Sequence, residues 1–232
     1  MPAQPNQSLA DGVALLQVLC SRGDGIGSRE LARVMGWEPT RANRLLGTLR
    51  DLGLAEQDAG RRYRPGPGVH LLAAQCLNGS GLLAAALPVL RELRGSFGVA
   101  LGVLWQGHVC YLLHAARGRP IEEGLRRTAP LPADRSSIGM VLEAHAPGPW
   151  RTPAAEIAAI RQRGYAVQRN DGATTGSVAV AIAGAVPDAP PVAAIAGMVD
   201  YALTPPEAVA AALQPAAAAI AAALPGGRAS ST

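Results

Sequence analysis

Residues 38–53 read EPTRANRLLGTLRDLG, and this stretch decides the fold of the first part of the chain. At 100° per residue, its apolar side chains form one stripe that would face a core. The stripe consists of Ala42, Leu45, Leu46, Leu49 and Leu52. The opposite side carries Thr40, Asn43, Arg44 and Gly47, with Arg41 at the margin. Short hydrogen-bond donors beside a glycine suit a close approach of this helix to another surface.

The segments around this helix complete a recognisable arrangement. Ser8 is expected to cap a helix, and Ser28 a shorter one, SRELARVMG, that ends at Gly36. After the quoted helix, LGLAEQDAGRRYRPGP predicts a β-hairpin with its turn at 58–60. Three helices followed by a hairpin predict a winged helix-turn-helix domain over residues 1–65.

Positive charge is concentrated in this part of the chain. Between Ser28 and Arg64 there are eight arginines and five acidic residues, whereas the net charge of all 232 residues is only +4. Arginine and asparagine can each form two hydrogen bonds with a base edge in the major groove, and hairpin arginines can reach phosphates. The candidate DNA-contacting residues are Ser28, Arg29, Thr40, Arg41, Asn43, Arg44, Gly47, Arg61, Arg62 and Arg64. The alternatives are an ordinary solvated helix and, for Ser28 and Thr40, plain helix caps.

The rest of the chain predicts a second domain. Pro65-Gly66-Pro67-Gly68 marks a boundary, and VHLLAAQCL after it indicates a linker helix over residues 66–80. Residues 81–225 contain helical patterns at both ends and several apolar strands, including VALGVLW and HVCYLLHAA. This order predicts an α+β domain, an antiparallel sheet with helices packed on it. Residues 226–232 are expected to form a disordered tail.

The bulk features exclude several classes of protein. The N-terminus has no export signal and no uninterrupted apolar run is long enough for a membrane span, so a cytoplasmic location is expected. Cys20, Cys76 and Cys110 lack metal spacing and are expected to be buried, reduced thiols. His108, Cys110 and His114 would share one side of a predicted strand, which leaves a metal site as a minor alternative to core packing. No cofactor and no metal ion are expected.

Four segments taken together resemble the IclR family of bacterial transcription regulators: SRELARVMG, RANRLLGTLRDLGLAEQ, RRYRPGP and RQRGYAV. Their order and spacing extend the resemblance over most of the chain. It implies an N-terminal winged helix that binds double-stranded operator DNA and a linker helix that helps to dimerise it. It also implies a C-terminal effector domain with a GAF-like sheet that binds a small organic molecule, in a homodimer or tetramer.

The resemblance also implies where the effector would bind. The family pocket is lined by a loop that matches PLPADRSSIGM, although Met140 stands where the family has a lysine. The candidate effector-binding residues are Ser136, Ser137, Ile138, Gly139, Asp171, Ser177 and Met198. For Ser136 and Ser137, the alternative is plain helix capping; no histidine with an acidic partner is placed to activate either as a nucleophile. The segment between VLEA and TPAAE is shorter than in the family, as if one helix were missing.

The sequence therefore predicts a transcription regulator whose operator affinity is modulated by a small organic metabolite, such as a small organic acid. No catalytic residue is assigned. Two alternatives remain open. One is a DNA-bound dimeric regulator with a degenerate, ligand-free C-terminal domain, and the other is a small-molecule enzyme that uses the N-terminal domain as a tether.

Overall fold

The computed structural model describes residues 4, 6–126, 130–184, 186 and 189–225. These residues form two compact units, Met1–Gly79 and Ser80–Thr232. The division falls near the end of the segment 66–80, so that almost all of the linker helix belongs to the first unit. The expected tail at 226–232 lies outside the described residues.

The first unit is a bundle of helices with a small sheet. Its elements are α1 (Gln7–Cys20), β1 (Ile26–Gly27), α2 (Ser28–Met35), α3 (Pro39–Asp51), β2 (Ala55–Gln57), β3 (Arg62–Pro65) and α4 (Pro67–Ser80). The three strands are antiparallel in the order β1-β3-β2. The core between them consists of Leu15, Leu19, Ile26, Leu31, Leu46, Leu49 and Ala55. The apolar stripe of α3 therefore faces the core as predicted, except that Leu52 lies beyond the end of the helix and is exposed.

The helix starts differ from the prediction at two serines. Asn6, not Ser8, caps α1, because its side chain accepts a hydrogen bond from the Leu9 amide at 3.1 Å. Gly27 occupies the capping position of α2, and Ser28 is the first helical residue. The C-terminal end of α2 follows the sequence, since Gly36 adopts a left-handed conformation with φ of 65°.

A buried carboxylate on α1 fixes the position of α3. Asp11 is only 7% exposed, and its carboxylate accepts a hydrogen bond from Gln7 at 2.9 Å and forms an ion pair with Arg41. The Arg41 guanidinium also stacks over the Trp37 ring, 4.8 Å from its centroid. The hydrogen bond from Gln7, and then that from Arg41, hold the pKa of Asp11 below its ordinary value.

We expect Asp11→Asn to destabilise the protein near neutral pH and to have progressively less effect in acid. Because the folded-state pKa lies below the ordinary value of 3.8, the ionised carboxylate stabilises the fold fully above that value. The stabilisation is lost as the pH falls through the folded-state pKa. Thermal unfolding of both proteins at pH values from about 7 to about 3 measures it. A difference in midpoint temperature that is independent of pH would contradict this assignment.

The Pro-Gly-Pro-Gly segment packs closely against the backbone of Gly53 and Leu54, so it is held in place and is not a free linker. The Gly66 and Gly68 amides donate to the carbonyl oxygens of Leu54 and Gly53, both at 2.9 Å. A Cβ atom on Gly66 would lie only 2.4 Å from the Gly53 oxygen, so only glycine allows this approach. Helix α4 therefore starts firmly attached to the loop that follows α3.

The second unit is a six-stranded sheet with helices on both faces. Its helices are α5 (Leu82–Leu93), α6 (Ser137–His145), α7 (Ala154–Arg163) and α8 (Pro206–Ala223). Its strands are β4 (Gly98–Trp105), β5 (His108–Ala115), β6 (Leu131–Pro132), β7 (Ala166–Arg169), β8 (Thr175–Ile182) and β9 (Ala193–Asp200). The order β6-β5-β4-β9-β8-β7 is antiparallel throughout, which confirms the predicted α+β class.

Successive side chains of each strand point to opposite faces of the sheet, and each face carries its own hydrophobic core. Leu90 of α5 and Leu213 of α8 pack on the face that carries Leu101. Ile138 of α6 and Ile157 of α7 pack on the other face. The strand residues of that face are largely alanines: Ala100, Ala179, Ala194 and Ala196. Small side chains on this second face allow α6 to lie close to the strands.

Helix α8 is long and apolar enough to cross a membrane by length and composition alone, with a mean hydropathy of 1.2. It contributes a row of buried residues to the core of the second unit: Val209, Ala210, Leu213, Ala216, Ala217 and Ile220. One side of α8 therefore packs against the core of the second unit.

A buried glutamate holds the short segment between α6 and α7. Glu143 of α6 is 3% exposed, and its carboxylate accepts hydrogen bonds from the amides of Arg151 and Thr152 at 3.0 and 2.9 Å. The Thr152 hydroxyl donates a third at 2.7 Å. These bonds close the short irregular segment between α6 and α7.

A β-bulge overturns the prediction for the histidines and the cysteine of β5. The ladder with β4 shifts register by one residue, and Leu112 is left without an opposite partner. His114 consequently shares a face with Tyr111, whereas His108 and Cys110 lie on the other face. The three residues cannot form one site, and the described residues contain no cluster of three metal-ligating side chains.

The cysteines are exposed, and the prediction of buried thiols is wrong. Cys20 is the last residue of α1, Cys76 lies on α4, which buries no side chain, and Cys110 alternates with the buried Val109. Partial desolvation raises the pKa of the Cys20 and Cys110 thiols.

Candidate functional site

Helix α3 presents an uncommitted polar face to solvent. Asn43 and Arg44 are exposed, and neither side chain forms a hydrogen bond or ion pair with another residue that the structure describes. Thr40 is exposed in the first turn of the helix, and a Cβ on Gly47 would meet no atom within 4 Å. This face can therefore approach a second surface closely and offer it amide and guanidinium groups.

Ion pairs divide the arginines of the first unit into two groups. Four of them have acidic partners: Arg22 with Glu30, Arg41 with Asp11, Arg62 with Asp24, and Arg64 with Asp58. The other five are exposed and have no acidic partner among the described residues: Arg29, Arg33, Arg44, Arg50 and Arg61. Only the second group keeps its full hydrogen-bonding capacity for an external partner.

Three of the predicted contact residues form contacts inside the domain, and one of them, Arg64, pairs with Asp58 of the hairpin. Arg41 joins α3 to Asp11 of α1. Arg62 donates to the backbone oxygens of Asp24 and Gly25 at 3.1 and 2.6 Å, which attaches the hairpin to the loop before β1. Arg41 and Arg62 thus help to fix the position of the exposed face, and the guanidiniums of all three arginines already have partners within the domain.

The hairpin tip is held in one conformation. Asp58 accepts hydrogen bonds from the Arg61 amide, through its backbone oxygen, and from the Arg62 amide, through its carboxylate, both at 2.9 Å. The Gln57 side chain donates to the Arg61 carbonyl at 3.2 Å. Arg61 itself has a left-handed backbone with φ of 58°, which is uncommon for a residue other than glycine. Its side chain thereby extends from a fixed turn into solvent.

A concave surface lies between α3 and the hairpin and encloses a volume of about 960 Å³. Its lining residues are Gly27, Ser28, Arg29, Glu30, Pro39, Asn43, Arg50, Gln57, Arg61 and Tyr63. Arg50, Gln57 and Tyr63 were missed by the sequence analysis. Arg50 lies seven residues, or about two turns, after Asn43 and so follows the same stripe of α3. Helical periodicity alone could have identified it.

The second unit contains a cavity of about 530 Å³ on the face of the sheet that carries α6. Strand residues form its floor, the start of α6 one wall, and the loop after β9 part of its rim. Its lining residues are Ser96, Phe97, Ala100, Tyr111, His114, Arg117, Leu131, Arg135, Ser136, Ser137, Gln168, Asn170, Thr175, Gly176, Ser177, Ala196, Met198, Val199, Asp200, Leu203 and Thr204.

Paired hydroxyls mark the inner end of this cavity. Ser136 and Ser137 are 3% and 1% exposed, and the Ser137 and Ser177 hydroxyls are 2.7 Å apart. The Ser136 hydroxyl lies 2.8 Å from that of Tyr111 and also accepts a hydrogen bond from the Gly139 amide at 3.4 Å. Ser136 is therefore both the cap of α6 and a wall of the cavity, so the two interpretations of this residue are compatible.

The cavity brings together four of the seven predicted effector residues: Ser136, Ser137, Ser177 and Met198. The other three do not line it. Ile138 points into the core, Gly139 lies against Ala133, and Asp171 occupies an exposed turn between β7 and β8. These positions follow from the direction of α6, whose first residue alone faces the cavity while the next two face the sheet and the preceding turn.

The mouth of the cavity carries charged groups that the sequence analysis did not assign. Arg117 and Arg135 are exposed there, and Asp200 lies at the end of β9. A side-chain hydrogen bond with Thr174, and then one from the Ala202 amide, lower the pKa of Asp200. Arg135 directly precedes Ser136, so its position beside the pocket serines is a signal that the sequence did contain.

Comparison with known proteins identifies the helix-turn-helix part of the first unit. Residues 8–59 match the IclR helix-turn-helix domain. A stretch of 144 residues is 33% identical to the glycerol operon regulatory protein of Streptomyces coelicolor, covering 61% of this chain and 57% of the length of that protein.

Solved structures extend the likeness to the whole chain. A structure described as an IclR transcriptional regulator from Silicibacter sp. TM1040 is 26% identical, with a TM-score of 0.79 over 96% of this chain and 97% of that one. An IclR homologue from Microbacterium hydrocarbonoxydans, crystallised with 4-hydroxybenzoate, shares the fold at 22% identity and a TM-score of 0.65, over 93% of this chain and 98% of that one. The first unit therefore contains an IclR helix-turn-helix domain, and the chain as a whole is similar in fold to IclR transcription regulators.

Proposed function

We propose that this protein binds operator DNA through the first unit and adjusts its affinity in response to a small organic molecule held in the second. The proposal is carried by the exposure of Asn43 and Arg44, which have no side-chain partner among the described residues, on a helix fixed by the ion pair of Arg41 with Asp11. Recognition of the major groove requires a rigid helix whose side-chain donors and acceptors are available to base edges.

Two side chains would read bases. An arginine can donate two hydrogen bonds to the O6 and N7 atoms of guanine, and an asparagine can pair with the N6 and N7 atoms of adenine. Arg44 and Asn43 lie in the second turn of α3, close to the end of a recognition helix that enters the groove. Gly47 would let the next turn approach the DNA backbone.

The concave surface beside α3 would receive phosphates. A DNA strand runs between the major groove, where α3 would lie, and the neighbouring minor groove, where the hairpin tip would lie. Arg29, Arg50 and Tyr63 line that concavity and can donate to phosphate oxygens, while Arg61 extends towards the minor groove. These contacts would position the protein on DNA without reading its sequence.

The cavity of the second unit would hold the effector. Its volume suits a small metabolite, and its polar lining suits one that carries hydrogen-bonding groups. A regulator of the same fold was crystallised with an aromatic hydroxy acid, which supports a small organic acid here. The effector changes DNA affinity by binding two arrangements of the protein unequally, with a typical coupling of about 1–3 kcal/mol. The role assigned to the cavity is binding and not catalysis, and the protein would act in the cytoplasm.

We further propose that a second copy of the chain pairs with this one through α4. This helix buries none of its residues, and Leu71 and Leu72 are 58% and 54% exposed. An apolar helix surface of this kind is stabilised when it packs against another copy. Pairing would present two recognition helices to two half-sites of the operator.

We expect Leu71→Asp with Leu72→Asp to convert the dimer to monomers and to weaken operator binding by about 10²-fold or more, because the second half-site is no longer engaged intramolecularly. Sedimentation velocity and fluorescence anisotropy measure the two effects. His70→Asp adds a similar charge on the opposite side of α4 and serves as the control. Dimers that persist in the double variant would rule out α4 as the interface.

The DNA-binding proposal is tested with a site that the protein selects from a random library. Its affinity for that site is measured over a range of salt concentrations. We expect the logarithm of the association constant to fall linearly with the logarithm of salt concentration, because bound arginines displace counterions from phosphates. The absence of any selected site, or an affinity independent of salt, would refute the proposal.

A further inference from the structure

We propose that the cavity of the second unit takes a polyhydroxylated anion in one orientation, with its hydroxyl-bearing end at Ser137 and Ser177 and its anionic group at Arg117 and Arg135. The inference rests on the proposed function, since it names the class of molecule to which the regulator would respond. It distinguishes this ligand from an acid that carries no hydroxyl groups.

The inner end of the cavity has more acceptors than donors. The Ser137 and Ser177 hydroxyls together supply two donors and four lone pairs, and the hydrogen bond between them uses one of each. One donor and three lone pairs remain for a ligand. A carboxylate or phosphate only accepts hydrogen bonds and leaves those lone pairs unused, whereas a ligand hydroxyl both donates and accepts. The serine pair is therefore complementary to hydroxyl groups.

The fully buried part of the lining carries no charge, since the charged or titratable lining residues, His114, Arg117, Arg135 and Asp200, are half-buried or exposed. Every lining residue that is buried is uncharged, among them Ala100, Ser136, Ser137 and Ala196. Moving an ionised group to such a position removes its water without supplying an opposite charge, which is strongly unfavourable. Neutral hydroxyl groups of a ligand carry a much smaller desolvation cost there, provided that they are hydrogen-bonded.

The start of α6 does not change this assignment. The positive end of a helix can attract an anion through free backbone amides. Here the Gly139 amide already donates to the Ser136 hydroxyl, and neither Ile138 nor Gly139 lines the cavity. The amides of these two residues are therefore not presented to a ligand as an anion site.

The mouth of the cavity, in contrast, favours an anion. Arg117 and Arg135 are exposed on its rim, where an anionic group keeps part of its hydration while it pairs with a guanidinium. The nearby Asp200 is already held by the Ala202 amide and by Thr174. A ligand that spans from the rim to the serines would satisfy both ends at once.

Four compounds with the same six-carbon chain separate the contributions. Gluconate and sorbitol 6-phosphate carry hydroxyls and an anion, sorbitol carries only hydroxyls, and hexanoate carries only an anion. Isothermal titration of the full chain measures each affinity. We expect gluconate, sorbitol 6-phosphate or both to bind at least about tenfold more tightly than sorbitol and than hexanoate, as one charge-assisted hydrogen bond would give. Comparison of the first two compounds identifies the anion as a carboxylate or a phosphate.

Two variants test the orientation. Ser177→Ala is expected to weaken binding of the tighter polyol anion by about tenfold and to leave hexanoate binding unchanged. Arg117→Ala with Arg135→Ala is expected to reduce that compound to the affinity of sorbitol. Asp171→Asn, in an exposed turn outside the cavity, is the control. Thermal unfolding without ligand shows that each variant is folded.

Hexanoate that binds as tightly as the tighter polyol anion, or binding of that anion that is insensitive to Ser177→Ala, would overturn the inference while leaving ligand-dependent regulation intact. Failure of all four compounds to bind would also overturn it. Failure of the proposed function would be seen in a different experiment, in which the ligand-free protein shows no sequence-selective DNA binding.

Discussion

Replacement of both Asn43 and Arg44 by alanine is expected to reduce the ratio of operator affinity to random-DNA affinity by about 10²-fold or more. Each bidentate pair between a side chain and a base edge discriminates by about 1–3 kcal/mol, and the variant removes two such pairs. The effect on random DNA should be small, because base contacts contribute little to non-specific binding. Both side chains are exposed and unpaired within the described residues, so the substitution should leave the fold intact.

Competition between operator and random fragments in a gel-shift titration measures this ratio. Arg61→Ala provides a contrast, because a hairpin arginine that contacts phosphate should contribute equally to both DNAs. Arg33→Ala is the matched control: this arginine is also exposed on the first unit but does not line the concave surface, and its loss should change neither affinity. Full discrimination by the double variant would show that α3 does not read the DNA sequence.

Replacement of Gly139 by alanine is expected to destabilise the second unit by about 2 kcal/mol or more. The added Cβ would lie 2.3 Å from the Ala133 carbonyl oxygen and 2.4 Å from its Cα, both in the backbone, which cannot move aside as a flexible side chain can. The start of α6 would have to shift, and with it the two serines at the inner end of the cavity.

Chemical denaturation of the native protein and the variant measures the loss in free energy of unfolding. Gly95→Ala in the same unit is the control, because its Cβ would lie 3.7 Å from the nearest atom and meet only an ordinary van der Waals contact. Equal stability of the two variants would mean that α6 does not lie as close to Ala133 as described.

The first unit was largely predictable because its information is local. The spacing of Ala42, Leu46 and Leu49 fixes the buried side of α3, and Gly36 fixes the end of α2. What the sequence did not show was which arginines are free. Arg41 pairs with a residue 30 positions earlier and Arg62 with one 38 positions earlier, and no local pattern connects such partners.

The second unit was predictable in its elements and less so in its site. Alternating apolar residues indicated the long strands, but the bulge at Leu112 reversed the face of His114 and brought it to the cavity. Ser137 and Ser177 are 40 residues apart in sequence, and only the packing of α6 on β8 brings their hydroxyls together. Arg117 and Arg135 reach the same mouth from separate loops.

The outer face of α3 is expected to touch bases, and this contact can be tested by removing one atom of the DNA at a time. Each guanine of the selected site is replaced in turn by 7-deazaguanine, which lacks the N7 acceptor, and the affinity of the native protein and of Arg44→Ala is measured for every substituted site. We expect one guanine per half-site at which the replacement weakens native binding by about tenfold but has no effect on Arg44→Ala, because that variant already lacks the contact. Equal sensitivity of both proteins at every guanine would contradict it.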